Sequence, residues 1–274
     1  MHKASTPRPQ PSSAASRKRP SGDELAEAAR LPTNSAAPFA HFKGRLGLPE
    51  DAPELHLPSP FDYATQALMY IARDLPDPRH PSYAGRSHAT IAALVQLTRG
   101  RALVLFTSRE RMVEAHSALH GRWDHPTLLQ GQGSKEALLA RFRELPGAVL
   151  FATATFWEGV DIVGDALSLV IIDKLPFQPP GDPLIDARVA RLNANGENAF
   201  LAYQVPTAIL SLKQGVGRLI RHRTDRGIIA ILDPRLETAR YGALFLESLP
   251  PARRTSNLRE LADWWAELEV KKSG

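Results

Sequence analysis

Residues 102–121 read ALVLFTSRERMVEAHSALHG, and this stretch decides the fold class. Its first five residues form a continuous apolar run, which is typical of a strand that is buried on both faces of a sheet. From Ser108 onward the apolar residues have the spacing of an amphipathic helix. A buried strand that leads directly into a helix is the building unit of a parallel sheet. The sequence therefore predicts an α/β fold with helices on both faces of the sheet.

The same alternation of apolar runs and amphipathic helices continues on both sides of this unit. The rhythm favours one parallel sheet, and we expect the run at 226–235 to be its last strand. A short helical segment within residues 38–51 is predicted to end at Gly47. The other predicted strands are 67–72, 127–130, 147–153 and 167–173, and the other predicted helices are 87–100, with a Ser cap and a terminal Gly, and 134–145.

The composition excludes several classes of protein and site. The chain has 274 residues, of which 43% are hydrophobic and 23% are charged, as in a soluble globular protein. No apolar run approaches the roughly 18 residues that span a bilayer, so we expect no membrane partner. Cysteine is absent, which excludes disulfides, thiolate zinc sites and a cysteine-held iron–sulfur cluster in this chain. Its absence fits a reducing compartment, and we expect a cytoplasmic protein.

The first 37 residues differ in composition from the rest of the chain. They are rich in Pro, Ser and Arg and carry a formal charge of +3, which leaves +2 for residues 38–274. Such a segment cannot bury enough apolar surface to offset its ordering entropy. We therefore predict a disordered basic tail over 1–37, followed by one domain over 38–274. Because that domain is only mildly basic, its charge is weak support for nucleic-acid binding.

Three polar stretches are candidate ligand sites, because parallel sheets bind ligands at the carboxyl ends of their strands and we expect each stretch to lie there. In the first, Thr107, Ser108 and Arg109 lie between a strand and a helix. Hydroxyls and free backbone N–H groups at that position suit a phosphate. The alternative is that Ser108 only caps the helix.

The second stretch is FATATFWEGVDIVG at 151–164. The hydroxyl of Thr153 can bind a phosphate oxygen, and Gly159 lets the backbone approach a ligand closely. Asp161 can accept a hydrogen bond from a ribose hydroxyl. The alternative is an ordinary connection from a strand to a loop, with a polar turn that includes Glu158.

The third stretch is QGVGRLIRHR at 214–223. Arg218 and Arg221 are three residues apart, so on a helix they share one face and can together meet a multiply charged anion. The residues before them are largely apolar, which favours a partly buried helix whose arginines have an assigned partner. The alternative is a solvated basic face that includes Arg223.

Four stretches together resemble a known family. They occur in the order ALVLFTSRERM, ATATFWEGVDIVG, LPFQPPGDPL and LKQGVGRLIRHRTDRGIIAILDPRL. In this order and spacing they resemble the second RecA-like motor domain of the superfamily 2 helicases related to DinG, YoaA and XPD. The resemblance covers about residues 39–250. It implies a RecA-like parallel sheet and an ATP-dependent DNA helicase; LPFQPPGDP matches a family loop to which we assign no chemical role.

The resemblance also implies roles for individual residues toward DNA and toward ATP. One set is expected to contact the backbone of single-stranded DNA, a second to lie on the nucleotide side, and a third to act in ATP hydrolysis. The residues implied are Thr107, Ser108, Arg109 and Thr153 for DNA; Glu158, Gly159, Asp161 and Gly217 for the nucleotide; and Gln214, near the γ-phosphate, with Arg218 and Arg221, which stabilise transition-state charge, for hydrolysis.

A motor of this class also needs a first domain, with a phosphate loop of the form G-x-x-x-x-G-K-[ST] and an acidic motif for Mg²⁺. This sequence contains no Gly-Lys dipeptide, and its one Asp-Glu pair, Asp23-Glu24, lies in the predicted tail. We therefore expect ATP with Mg²⁺ to be bound mainly by a first motor domain that lies on another chain or is lost. This chain alone should then be inactive. The alternative is a stand-alone, non-catalytic nucleic-acid-binding module derived from a helicase.

Overall fold

The computed structural model describes residues 39–55, 57, 59–153, 156, 162, 164–179 and 181–273. The predicted basic tail lies outside these ranges, and so do most of the residues between Thr153 and Gly164. None of the helices within the described ranges combines the length and the hydropathy that a bilayer span requires.

A parallel sheet of seven strands lies at the centre of the described chain. The strands are β1 (Ala67–Ile71), β2 (Ala102–Phe106), β3 (Thr127–Leu129), β4 (Val149–Thr153), β5 (Leu169–Ile172), β6 (Gly227–Ile231) and β7 (Arg253–Thr255). Their order across the sheet is β3-β4-β2-β5-β6-β1-β7, and each neighbouring pair is parallel. The predicted parallel sheet is confirmed.

Helices fill most of the connections between the strands. They are α1 (Ala40–Leu46), α2 (Tyr63–Gln66), α3 (Tyr83–Thr98), α4 (Arg109–Leu119), α5 (Lys135–Glu144), α6 (Pro183–Ala194), α7 (Val205–Val216), α8 (Arg235–Thr238), α9 (Gly242–Ser248) and α10 (Leu258–Ser273). A 3-10 turn spans Gly164–Ala166, and a π-helical turn, Phe200–Gln204, leads into α7. The wide turn has a local cause, because Pro206 has no N–H to continue an α-helical ladder.

Both faces of the sheet are covered. In β2, Ala102, Val104 and Phe106 belong to a core that also contains residues of α3, α4 and α10. Leu103 and Leu105 are just as fully buried. Because side chains alternate between the faces along a strand, burial of both sets requires a layer on each face. α7 packs against β5 and contributes nothing to the first core, so it belongs to the second layer.

The strand β7 follows the strand that the sequence predicted to be the last. β7 pairs with β1, with Leu68 opposite Arg253. The prediction that the sheet ends with residues 226–235 is therefore wrong. β7 has no apolar run because it is an edge strand with exposed Arg253 and Arg254. Charged edge strands are a common protection against pairing with other chains.

Helix α3 begins earlier than the sequence predicted. It starts at Tyr83, and the predicted cap, Ser87, lies inside it, where the Ser87 hydroxyl donates to the carbonyl of Ala84 at 3.0 Å. That prediction of the helix start is wrong, because a buried serine satisfied within the helix has the same sequence signature as a cap. Gly100 follows the end of the helix in a left-handed conformation, as the sequence predicted.

Replacing Gly100 with alanine is expected to destabilise the domain by about 2–4 kcal/mol. Gly100 has a φ of 76°, and a Cβ atom there would lie 1.8 Å from the carbonyl oxygen of Gly147. Alanine therefore adds both left-handed strain and a clash. Gly196→Ala is the matched control, because Gly196 has a φ of 80° but nothing within 4 Å of its Cβ position. Gly196→Ala should lower the free energy of unfolding by only about 1 kcal/mol. If urea unfolding gave equal losses of stability for the two variants, the predicted clash at Gly100 would be contradicted.

Candidate functional site

Two of the predicted polar stretches meet at the carboxyl edge of the sheet, the edge at which the strands end. β2 and β4 are neighbours, with Phe106 opposite Thr153. Thr107, Ser108 and Arg109 follow β2 directly, so they lie at the same edge of the sheet as Thr153. The structure thus brings together all four residues that the sequence assigned to DNA, at the predicted edge.

The residues after β2 differ in their surroundings. The hydroxyl of Ser108 accepts the N–H of Arg111 at 3.3 Å, so Ser108 is the cap of α4. Arg109 is exposed, and its Nη2 lies 3.3 Å from the position that a Cβ atom on Gly131 would occupy. Gly131 has a φ of 102°. This φ favours glycine, and a Cβ atom there would require the guanidinium of Arg109 to shift by a few tenths of an ångström.

Gln130, which was not singled out from the sequence, fixes Thr153. Its Oε1 accepts the backbone N–H of Thr153 at 2.7 Å and the Thr153 hydroxyl at 3.0 Å. A phosphate oxygen can only accept hydrogen bonds. A phosphate that binds the Thr153 hydroxyl must therefore replace Gln130 Oε1 as the acceptor of its O–H group. The one sequence signal for Gln130 is its place directly after β3, at the same carboxyl edge.

A buried charge cluster anchors α4 against β5. The Asp173 carboxylate, which follows β5, lies 3.7 Å from the guanidinium of Arg111 and 3.3 Å from the Tyr83 hydroxyl. Burial raises the pKa of Asp173 above its usual range, and burial lowers the pKa of the neighbouring Lys174. Since Arg111 lies in the first turn of α4, the cluster fixes the helix that begins with Arg109.

The loop LPFQPPGDP has a packing role in the described part of the chain. The ring of Phe177 stacks on Phe200, with ring centroids 5.6 Å apart. It also meets the ring of Tyr241 edge-on at 5.6 Å and that of Phe245 at 5.8 Å. These contacts connect the chain after β5 with the π-helical turn and with α9.

Arg218 and Arg221 lie in the segment that joins α7 to β6, residues 217–226, which we call the arginine segment. α7 ends at Val216, and the N–H of Arg218 donates to the carbonyl of Gly215 at 3.2 Å within a turn. The prediction that both arginines share one helix face is wrong, because the chain turns here to enter β6.

The arginine segment also lies at the amino edge of the sheet, the edge at which the strands begin. A helix that connects parallel strands returns the chain to that edge before the next strand. The expectation that this third stretch lies at a carboxyl end is therefore wrong. Strands of five residues separate the two edges, a distance of about 15 Å.

Buried apolar residues hold the arginine segment in place. Leu219 and Ile220 are each only 2% exposed, whereas Arg218 and Arg221 on either side of them are half-buried. A Cβ atom on Gly227, the first residue of β6, would lie 2.8 Å from Cδ1 of Leu219. The absence of a side chain at this position gives Leu219 its space.

Two polar residues that sequence reasoning missed also contact the arginine segment. Gln66, the last residue of α2, donates to three carbonyl oxygens of the segment at 2.9–3.2 Å. Asp225, within the segment, accepts the N–H groups of Arg221 and His222, each at 2.8 Å. Gln66 is separated from these residues by more than 150 positions, and no local pattern marks it.

The remaining residues that the sequence assigned to ATP are Gln214, for hydrolysis, and the four of the nucleotide side. Gln214 is exposed in the last turn of α7. Gly217 follows with an ordinary φ of −66°, and a Cβ atom there would lie 3.1 Å from the carbonyl oxygen of Lys213. Gly217 directly precedes Arg218, and Gln214 lies four residues before it. The other residues of the set, Glu158, Gly159 and Asp161, lie outside the described residues.

Metal binding finds no support in the described side chains. Among the described residues, no three His, Asp or Glu side chains are grouped so that they could hold a metal ion. The charged groups at the amino edge that the sequence assigned to phosphate chemistry are arginines, which bind anions.

The chain resembles known proteins over most of its described length. Residues 91–252 match a family described as "Helicase C-terminal domain". The "ATP-dependent DNA helicase YoaA" of Escherichia coli (strain K12) is 47% identical over 218 residues, which are 80% of this chain and 34% of that protein. The "ATP-dependent helicase DinG" of Mycobacterium tuberculosis (strain ATCC 25618 / H37Rv) is 41% identical over 218 residues, which are 78% of this chain and 33% of that protein. This chain thus spans about a third of the length of these relatives.

A solved structure named "XPD_Helicase" has a similar fold. It superposes with a TM-score of 0.55 and 23% identity, over 69% of this chain and 36% of that one. At this identity the likeness bears on the fold alone, and it confirms the RecA-like sheet that the sequence predicted.

Proposed function

This chain belongs to the helicase C-terminal domain family, and we propose that it is the second motor domain of an ATP-dependent DNA helicase. One observation carries the proposal. The arginine segment and the four DNA-side residues occupy opposite edges of one sheet that is packed on both faces. A rigid sheet with an anion-binding segment at one edge and a nucleic-acid surface at the other can couple two ligands.

Arg218 and Arg221 act on ATP bound by the first motor domain. Negative charge builds up on the γ-phosphoryl oxygens as the group is transferred, and a guanidinium placed beside them neutralises that charge. Gln214, one turn earlier, approaches the γ-phosphate. The buried Leu219 and Ile220 support this role, because a segment anchored between its arginines presents them without further ordering.

The first motor domain supplies the other half of the ATP site. Its phosphate loop binds the phosphates, and its acidic motif holds Mg²⁺. Glu158, Gly159, Asp161 and Gly217 complete the nucleotide side from this chain. Closure of the two domains on ATP and reopening after hydrolysis then move the DNA-side edge relative to the first domain.

The carboxyl edge binds the backbone of single-stranded DNA. Thr107, Ser108 and Thr153 donate to phosphate oxygens, and Arg109 adds one positive charge. None of these groups reads a base edge, so the binding is independent of sequence. Gln130 holds Thr153 until a phosphate takes its place.

Replacing Arg109 with alanine is expected to weaken the binding of single-stranded DNA to the full chain for all sequences alike. Loss of one phosphate contact should lower the slope of log affinity against log salt by about 0.7. Arg141→Ala is the matched control, because Arg141 is an exposed arginine in the last turn of α5, toward the other edge. Fluorescence anisotropy with a labelled oligonucleotide at several salt concentrations measures the affinity and its salt slope for each variant. An unchanged slope for Arg109→Ala would remove this residue from the DNA surface.

The test of the proposed function is ATP hydrolysis by a chimera. In this chimera, the 218-residue stretch of this chain that matches the E. coli helicase YoaA replaces its counterpart in that protein. We expect ATP hydrolysis that single-stranded DNA stimulates. A folded chimera without it, from a chain that still binds DNA, would favour the stand-alone nucleic-acid-binding module.

A further inference from the structure

Gln66, which lies outside the arginine segment, donates hydrogen bonds to its backbone carbonyls. Its side chain is only 2% exposed and lies directly before β1, the neighbour of β6. Its Nε2 donates to the carbonyl oxygens of His222 at 2.9 Å, Arg223 at 3.2 Å and Asp225 at 3.0 Å. The two N–H groups of this amide are thus shared among three carbonyls of the turn. The same carbonyls also accept other donors: the backbone N–H of Asp225 at 3.2 Å for His222, and Nη1 of Arg226 at 2.8 Å for Arg223 and Asp225.

Asp225, which lies within the arginine segment, accepts hydrogen bonds from the backbone N–H groups of the same turn. It is 6% exposed, and its Oδ2 accepts the N–H groups of both Arg221 and His222 at 2.8 Å. These two N–H groups belong to the two peptide units on either side of the Arg221 Cα atom. A single oxygen that binds both units fixes φ and ψ of Arg221, and with them the direction in which its side chain leaves the backbone.

The two contacts act together on one residue. Asp225 fixes the backbone at Arg221, and Gln66 fixes the carbonyls of the turn that carries Asp225. Neither side chain belongs to the residues that we assign to ATP or DNA. Both are buried among polar groups of the segment. An apolar residue in place of Asp225 would leave the two N–H groups without this acceptor, and one in place of Gln66 would remove the hydrogen bonds that connect the turn to the residue before β1.

We propose that Gln66 and Asp225 are positioning residues that set the direction of the Arg221 guanidinium for ATP hydrolysis. This inference rests on the proposed function. A displacement of about 1 Å in a group that stabilises the transition state can lower a rate by about 100-fold. Loss of either residue should therefore act on kcat, while ATP binding, which depends mainly on the first domain, changes little.

The first test compares Gln66→Met with Gln96→Met in the chimera. Methionine keeps the length of the side chain but donates no hydrogen bond, and Gln96 is an exposed glutamine in α3. For Gln66→Met we expect kcat to fall by about 10- to 100-fold, with little change in KM for ATP. The affinity for single-stranded DNA should be unchanged, because the DNA surface lies at the opposite edge. Gln96→Met should behave as wild type.

The second test uses backbone amide exchange in the full chain without nucleotide. In Asp225→Ala, the amides of Arg221 and His222 should exchange at least about 10-fold faster than in wild type. Asp225→Asn keeps an acceptor oxygen and should retain most of the protection and of kcat.

The outcomes separate this inference from the proposed function. If Arg221→Ala abolishes hydrolysis by the chimera while Gln66→Met and Asp225→Ala keep the wild-type kcat, the positioning role is wrong and the proposed function stands. Unchanged exchange at Arg221 and His222 in Asp225→Ala also overturns the positioning role. If Arg221→Ala itself has no effect, the proposed function fails, and this inference fails with it.

Discussion

Replacing Arg221 with alanine in the chimera is expected to lower DNA-stimulated ATP turnover by about 1,000-fold or more, and Arg218→Ala should have an effect of the same order. A guanidinium aimed at the transferring phosphoryl group stabilises charge that exists only in the transition state, so its loss lowers kcat more than it raises KM. Steady-state rates over a range of ATP concentrations separate the two.

Arg223→Ala is the matched control for these variants. Arg223 lies in the same arginine segment and has the same charge, but its side chain is exposed. The contacts that Gln66 makes to this residue involve its backbone carbonyl, which alanine keeps. Turnover within about threefold of wild type is expected, well under one tenfold step of 1.4 kcal/mol. Equal losses for Arg221 and Arg223 would indicate a general effect of positive charge instead of a directed guanidinium.

The isolated chain, by contrast, is expected to hydrolyse no ATP above background, with or without single-stranded DNA. Its sequence has no phosphate loop, the segment whose backbone N–H groups and lysine bind the ATP phosphates in motors of this class. Arginines alone cannot position the nucleotide or the attacking water. A sensitive phosphate-release assay on the purified chain measures this. Turnover that is lost in Arg221→Ala would show that one chain holds the whole site.

The central strands could be predicted because each is an uninterrupted apolar run. β2, β4 and β6 are buried on both faces, so their hydrophobicity does not alternate and stands out against the amphipathic helices. The carboxyl-edge position of Thr107–Arg109 and Thr153 followed from the same pattern. Once a polar residue directly follows such a run, the parallel sheet dictates its edge.

The arginine segment shows where local pattern fails. The residues GVGRLI after Gln214 have helical spacing, yet α7 stops at Val216. The apolar pair Leu219 and Ile220, which looked like the continuation of a helical face, anchors a turn instead. Tertiary contacts to the start of β6 decide the outcome, and a sequence window of one helix does not contain them.

Gln66 and Gln130 could not be found from the sequence for a related reason. Gln66 contacts carbonyl groups more than 150 positions away, and Gln130 contacts Thr153, 23 positions away. These contacts can be predicted only when the strand order is known, because that order places β1 beside β6 and β3 beside β4. β7 was not predicted for a simpler reason, because a charged edge strand of three residues has no apolar run.

The central claim is that this domain completes an ATP site held by the first motor domain. Its most direct test is a side-by-side measurement of ATP turnover. The proteins compared are the isolated chain, the chimera, and the chimera with Arg221→Ala, each at saturating single-stranded DNA. We predict background turnover for the isolated chain, DNA-stimulated turnover for the chimera, and a loss of about 1,000-fold in the variant. Turnover by the isolated chain, or a variant as active as the chimera, would contradict the claim.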